Sequence, residues 1–146
     1  MTNQLLKIIP AFREQPGRLL ICATNFIRAL DAAFLRHGRF DYVIPIGLPD
    51  DQARAAIWQR YIPEAAVGVD IPRLVAMTDG FSPADIEYAA RKASQAALEG
   101  AVYAEDEGPE GPVMDDYIAA ISATRATVSP AVADDFLEDI ATVGRL

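Results

Sequence analysis

The sequence contains one cysteine and one histidine among its 146 residues, and this scarcity excludes several kinds of site. A single cysteine, Cys22, allows neither a disulfide framework nor a multi-thiolate metal site within one chain. Because His37 is the single histidine, a Ser-His-Asp or Cys-His catalytic site could be built only around it. We therefore predict no metal site, and a reducing compartment such as the cytoplasm suits the cysteine content.

The sequence also lacks a long apolar run. No run approaches the roughly 18 residues of a membrane span, and no basic stretch followed by an apolar core comes after Met1, as it does in a signal peptide. We expect a soluble cytoplasmic chain with no membrane partner. Apolar residues still make up 51% of the chain, enough for one buried core.

The net charge of -8 is unevenly distributed along the chain. Residues 1–62 carry eight Lys and Arg against five Asp and Glu, whereas residues 63–146 carry five against sixteen. Affinity for nucleic acid rises with the number of cations that reach the phosphates. The acidic half therefore argues against a nucleic-acid partner, and any anion site is expected in the front half.

The hydrophobic patterning of the first 49 residues predicts a fragment of a layered α/β unit. Residues 18–24 form an apolar run that turns polar at Asn25, as a strand buried on both faces does at the edge of a sheet. Residues 42–48 predict a second strand, in which Pro45 requires an edge or a bulge. Short helices are predicted over 2–9 and 30–36.

From residue 50 onward the pattern is helical, so we predict one domain over 1–49 and a second over 50–146. Ser82-Pro83-Ala84-Asp85 combines a capping hydroxyl, a proline at the first helical position and an acid in the first turn, three start signals for a long helix. Residues 105–112 have no apolar side chain and predict a mobile acidic loop. The other predicted helices cover 51–61, 71–77, 115–126 and 131–143. The predicted fold class is mainly α, with a two-stranded sheet remnant followed by a helical bundle.

Four stretches stand in a distinctive order: Ala23-Thr24-Asn25, Leu30 to Asp41, Ile46 to Asp50, and Gly80 to Ile86. This arrangement resembles the AAA family of ATPases in the part that follows the nucleotide motifs, namely the second region of homology and the helical lid. The ending around Ser129-Pro130 is similar to spastin, katanin and valosin-containing protein. The resemblance implies a P-loop α/β remnant, ATP with Mg²⁺ in the full-length protein, a hexameric ring and protein substrates.

The resemblance assigns catalytic roles to three residues of the front half. Asn25 matches sensor 1, which orients the attacking water, and an amide suits this role because it both donates and accepts. Arg36 and Arg39 match arginine fingers, which reach the γ-phosphate of an adjacent subunit with a planar, permanently charged group. Without the family pattern, Asn25 reads as a helix cap and the arginines as solvated surface residues.

In the lid, the resemblance places Pro83 and Ala84 near the adenine, with Pro83 where a glycine is more common. Tyr61 stands where many members carry a histidine beside the base. Stacking on the base and burial in the lid core are equally compatible with an aromatic ring at Tyr61.

Both nucleotide motifs are absent from the sequence. None of the nine glycines is followed by lysine, and no apolar strand ending in Asp-Glu precedes Asn25. Without a phosphate cradle or an Mg²⁺ ligand pair, we expect no bound cofactor and no ATP hydrolysis by this chain alone. The alternative is a stand-alone, non-catalytic helical module that binds or regulates intact family members.

The two predicted strands lack the strand that separates them in the family's sheet. Unpaired strand edges favour pairing with another chain. We therefore expect either a strand-mediated dimer or a locally rearranged front half beside an intact lid.

Overall fold

A computed structural model describes residues 2–36, 38–103 and 109–145, and most of the ordered structure is helical. Contact density divides the chain into two units: a front unit, Met1–Ile46 with Asp134–Leu146, and a helical unit, Gly47–Ala133. The sequence analysis assigned all of 50–146 to one domain, whereas residues from Asp134 onward group with the front unit. The helices are α1 Thr2–Arg13, α2 Asp51–Tyr61, α3 Ile71–Met77, α4 Pro83–Tyr103, α5 Met114–Ser122 and α6 Pro130–Val143.

The helical unit begins its helices where the sequence provides side-chain caps. The Asp50 carboxylate accepts a hydrogen bond from the amide of Ala53, and Asp70 caps α3 in the same way. Each cap satisfies an amide that has no partner within the helix. The observed α2 and α3 cover the residues predicted for them.

The core of the helical unit lies between α2, α3, α4 and α5. Trp58 and Tyr117 are fully buried and meet edge to face, with ring centroids 5.9 Å apart. The indole nitrogen of Trp58 donates to the Thr78 hydroxyl over 3.3 Å. Small residues on the buried face of α4 let the neighbouring helices approach closely: Ala89, Ala90 and Ala93.

The end of the predicted acidic loop is packed, contrary to the prediction of a mobile segment over 105–112. Residues 104–108 lie outside the described part of the chain. Gly111 and Pro112 are buried, and the amide of Val67 donates to the Pro112 carbonyl over 3.2 Å. A Cβ at Gly111 would stand 2.3 Å from the carbonyl oxygen of Ala65, so only glycine fits at this position.

The mainly helical fold class of the chain is confirmed, but the two strands predicted for the front unit do not form a ladder. Among the described residues there are only isolated bridges, and in this unit Val43 pairs with Arg145. Residues 18–24 form no regular secondary structure and are exposed. A strand satisfies its backbone only through a neighbour, and no described segment takes that position beside residues 18–24.

Two further predictions for local structure are wrong. Residues 30–36 form turns rather than a helix, after a short 3₁₀ helix over Ile27–Ala29. The helix α5 ends at Ser122 instead of residue 126. Near this end, the hydroxyls of Ser122 and Thr124 donate to carbonyls one turn earlier in the chain. Such side chains compete with continuation of a helix.

Arg28 fastens the 3₁₀ turn to the last helix, a contact between residues over 100 positions apart. Its guanidinium donates to Asp139 (2.5 Å), to Glu138 (2.8 Å) and to both the carboxylate and the carbonyl of Asp135 (3.0 Å each). The hydrogen bond to Asp139 raises the pKa of Arg28 above its ordinary value. All three acids lie on one face of α6, because they are spaced three and four residues apart.

We predict that Leu74→Ala strongly destabilises the helical unit. Leu74 is fully buried, so truncation removes apolar contacts and leaves a cavity, which costs about 2–5 kcal/mol in the free energy of unfolding. Urea denaturation measures the difference. The control Leu98→Ala changes a residue that is 66% exposed and should stay within about 0.5 kcal/mol of the parent chain; equal losses would contradict the assigned core.

We predict that Arg28→Leu loosens α6 beyond Asp134 in a salt-dependent way. At low ionic strength the amides of residues 136–143 should exchange hydrogen a few-fold faster than in the parent chain, because an exposed ion-pair network contributes modestly. At about 1 M salt, screening should shrink the difference. Arg36→Leu is the matched control, and the same acceleration in that variant would refute a specific role for Arg28.

Candidate functional site

The candidate sensor, Asn25, lies on an exposed bend. The hydroxyl of Thr24 accepts a hydrogen bond from the amide of Phe26 over 3.1 Å, which closes the turn around Asn25. The amide side chain therefore points from a turn rather than from the end of a paired strand. The position at a strand terminus, which the sequence analysis predicted, is not found, since residues 18–24 form no strand.

The two candidate arginine fingers belong to a folded turn over residues 31–41. Phe34 is buried and contacts the Phe40 ring, with centroids 6.3 Å apart. Arg36 is exposed, whereas Arg39 is half-buried and its guanidinium donates to the Ala33 carbonyl. His37, the one histidine of the sequence, lies outside the described residues.

Two aspartates shape this turn through the backbone. The Asp31 carboxylate accepts the amide of Ala33 at 2.9 Å, and Asp41 accepts the amide of Gly38 at 2.8 Å. Gly38 has a φ of 89°, a left-handed conformation that favours glycine. The turn therefore holds Arg36 and Arg39 on a short, internally bonded loop.

The candidate base-binding residues lie on α2 and α4 of the helical unit. Tyr61 is half-buried, and its hydroxyl donates to Glu87 of α4 over 3.1 Å. Pro83 and Ala84 open α4 and are exposed. The structure thus joins Tyr61 to the helix that carries the other two residues, and it offers a small apolar surface at the start of that helix.

Sequence reasoning recognised Asp85 only as a helix-start signal and missed its long-range contacts. One carboxylate oxygen accepts from the amide and hydroxyl of Ser82 (2.9 and 2.8 Å) and from the amide and hydroxyl of Thr127 (3.2 and 3.1 Å). Burial alone would raise the pKa of Asp85, but the hydrogen bonds from Ser82 and Thr127 lower it below the ordinary value. No local sequence signal could have connected Thr127 to Asp85, because 42 residues separate them.

The donor set does not fit the phosphate and Mg²⁺ portions of a nucleotide. The sequence has no Gly-Lys loop, and the described residues contain no group of three acidic, cysteine or histidine side chains that could hold a metal ion. The exposed Arg36 and the apolar residues at the start of α4 are suited to contact a nucleotide whose phosphates are held by other residues. None of the helices in the described ranges is long and apolar enough to cross a bilayer.

We predict that Asp85→Asn destabilises the chain by about 1–3 kcal/mol at pH 7. The substitution replaces a charged carboxylate, which accepts four hydrogen bonds, with a neutral amide. The folded-state pKa of Asp85 is lowered. The contribution of Asp85 to the free energy of unfolding is therefore fully present above the ordinary aspartate pKa of about 4, and it is lost as the pH falls through the folded-state pKa. Urea denaturation from pH 7 to pH 3 should show the two chains converging in acid. Asp115→Asn, at an exposed position, is the control, and a pH-independent gap for Asp85→Asn would argue against this account.

Comparison with known proteins shows relatives over most of the chain. Residues 1–48 match the model of the family described as "ATPase family associated with various cellular activities (AAA)". An ATP-dependent zinc metalloprotease FtsH from Paraburkholderia phymatum is 35% identical over 82% of this chain, which corresponds to 18% of the relative. The proteasome-activating nucleotidase of Saccharolobus solfataricus is 34% identical over 82% of this chain and 29% of the relative.

The fold comparison agrees with the sequence comparison. The crystal structure of the FIGL-1 AAA domain superposes with a TM-score of 0.81 at 23% identity, covering 99% of this chain and 51% of that one. The chain spans less than a third of the length of the two curated relatives and about half of the solved domain. The resemblance predicted from the sequence is therefore confirmed: residues 1–48 match the AAA family, and the chain has the fold of part of an AAA domain.

Proposed function

We propose that this chain supplies the sensor, the arginine fingers and the lid of an AAA ATPase module, and that ATP hydrolysis by the full-length protein drives protein remodelling in a ring oligomer. The observation that carries the proposal is the folded turn over 31–41, which presents Arg36 to solvent. An exposed guanidinium on a short, internally bonded turn is suited to reach the phosphate of a neighbouring subunit. Arginine fits this task because it is always charged and forked.

The two arginines differ in their readiness for this role. Arg36 is exposed, whereas Arg39 already donates to the Ala33 carbonyl within its own turn. Arg39 would therefore have to give up or share a hydrogen bond in order to contact a phosphate. We assign the direct contact first to Arg36 and give Arg39 a part in holding the turn as well.

In the lid, Pro83 and Ala84 would contact the adenine through their exposed apolar surface. Tyr61 would border the same site while its hydroxyl stays on Glu87, which fixes the ring against α4. A short apolar surface at a helix start suits the flat face of a base. The phosphates and Mg²⁺ would be held by parts of the module that precede the matched motifs.

A second candidate function is a stand-alone helical module that binds intact AAA proteins without catalysis. The separately packed core of the helical unit, around Trp58, Leu74 and Tyr117, favours this reading because such a core can persist without nucleotide. Both candidates imply protein partners and a cytoplasmic setting. They differ in whether Arg36 contributes to hydrolysis.

An ATP titration followed by calorimetry tests the main proposal. We expect no binding by the chain alone, because it lacks a phosphate cradle. Mixed with the upstream half of the ATPase module that contains a Gly-Lys loop, the chain should restore hydrolysis. In that mixture Arg36→Ala should lower turnover by about 1,000-fold or more, in the range of lost arginine fingers, with a smaller loss for Arg39→Ala.

Arg91→Ala is the matched control, since Arg91 is an exposed arginine of the lid helix α4 and should leave turnover unchanged. ATP binding by the isolated chain would contradict the missing cradle. Restored hydrolysis that is insensitive to Arg36→Ala would contradict the finger assignment. No restoration at all, together with tight binding to an intact AAA protein, would favour the non-catalytic module.

A further inference from the structure

Thr127, in the segment between α5 and α6, contacts both residues that flank Pro83 and Ala84 at the start of α4. Its amide and its hydroxyl donate to the Asp85 carboxylate over 3.2 and 3.1 Å. Its hydroxyl also lies 3.4 Å from that of Ser82, within hydrogen-bonding distance. The first turn of α4 is therefore fastened to a segment that lies outside this helix.

Ser82 and Asp85 also close the start of α4 on itself. The Ser82 amide donates to the Asp85 carboxylate over 2.9 Å, and the Asp85 amide donates to the Ser82 hydroxyl over 3.2 Å. This reciprocal pair satisfies two amides that have no partner within the helix. Asp85 is 3% exposed, whereas Thr127 is exposed, so the Thr127 side chain can be changed without opening the core.

We infer that Thr127 is a positioning residue for the base of the nucleotide. It acts through Asp85 and Ser82, which hold the turn that carries Pro83 and Ala84, and not by contact with the base. The inference rests on the proposed function, in which Pro83 and Ala84 contact the adenine. Hydrogen bonds to a charged carboxylate are stronger than those between neutral groups, so loss of the Thr127 hydroxyl should let this turn move.

The effect of Thr127 should be confined to binding of the base. An adenine that is held less well weakens the ground state and the transition state alike, which raises KM and leaves kcat unchanged. A ligand without a base, such as inorganic tripolyphosphate, makes no contact with Pro83 or Ala84. Thr127 therefore differs from Arg36, whose loss should lower turnover.

Calorimetric titration of the mixture of this chain with the upstream half of the module tests the inference. In Thr127→Val, which loses the hydroxyl and keeps the backbone amide, we expect the Kd for ADP to rise about 5-fold, the scale of one lost hydrogen bond. The Kd for inorganic tripolyphosphate should stay within about 2-fold, because the phosphates are held at a separate site. The KM for ATP should rise by the same factor as the Kd for ADP, with kcat unchanged.

Two further variants separate the hydroxyl from other effects of the substitution. Thr127→Ser keeps a hydroxyl at this position and should restore a Kd for ADP within about 2-fold of the parent value. Thr124→Val is the matched control, because the Thr124 hydroxyl lies in the same segment but donates to the Ala120 carbonyl of α5. This control should leave the Kd for both ligands unchanged. Helix content by circular dichroism verifies that each variant is folded.

Hydrogen exchange of the chain alone measures the same turn without nucleotide. The amides of Ser82 and Asp85 should exchange about 5-fold faster in Thr127→Val than in the parent chain, and at the parent rate in Thr124→Val. Unchanged exchange of both amides in Thr127→Val would overturn the inference, because Thr127 would then not hold the turn.

The outcomes distinguish failure of the inference from failure of the proposed function. An unchanged Kd for ADP in Thr127→Val, or an equal rise for ADP and tripolyphosphate, overturns the inference even where hydrolysis is restored and depends on Arg36. Hydrolysis that is not restored, or that tolerates Arg36→Ala, contradicts the proposed function, whereas a loss of affinity for ADP alone in Thr127→Val would still support the inference. A mixture that binds no ADP overturns both.

Discussion

The need of every backbone amide for a hydrogen-bond partner determines which parts of this chain form regular secondary structure. A helix satisfies its amides from within, so the helical unit needs only side-chain caps and an apolar face to complete its structure. A strand depends on a neighbour. Residues 18–24 have the apolar character of a strand but no neighbouring strand among the described residues, and their side chains therefore remain exposed.

The charged groups of the chain follow two different physical patterns. Asp85 is buried, and its charge is stabilised by four neutral donors from Ser82 and Thr127. Arg28 is half-exposed and is surrounded by three acids, in a network that solvent and salt can screen. The first arrangement fixes the start of the helix that carries Pro83 and Ala84, whereas the second holds the last helix to the turn beside Asn25.

Local sequence patterns were sufficient for α2, α3 and the start of α4. The helical pattern placed α2 and α3 at the residues they occupy, and Ser82-Pro83 marked the start of α4, which begins at Pro83. The order of the motifs was also enough to recognise the AAA family. The strands could not be predicted correctly, because the apolar pattern of residues 18–24 does not reveal whether a neighbouring strand is available.

The long-range contacts of the candidate site escaped prediction for the same reason. Arg28 carries no signal that its partners lie on α6, and nothing in the sequence near Asp85 indicates Thr127. The hydrogen bond from Arg39 to Ala33 likewise arises from the shape of the turn. Residue identity suggested the chemistry of the site, whereas the pairing depends on how distant segments come together.

The division of the chain between the two units also bears on the order of events during translation. All residues of the helical unit are contiguous, so they can collapse as soon as Ala133 has left the ribosome. The front unit, in contrast, joins Val43 to Arg145, and this closure must await the synthesis of Arg145. During this interval the nascent chain would carry a folded helical unit, while the residues before 47 lack their contacts with Arg145. Exposed apolar surface in that state is where chaperones would bind.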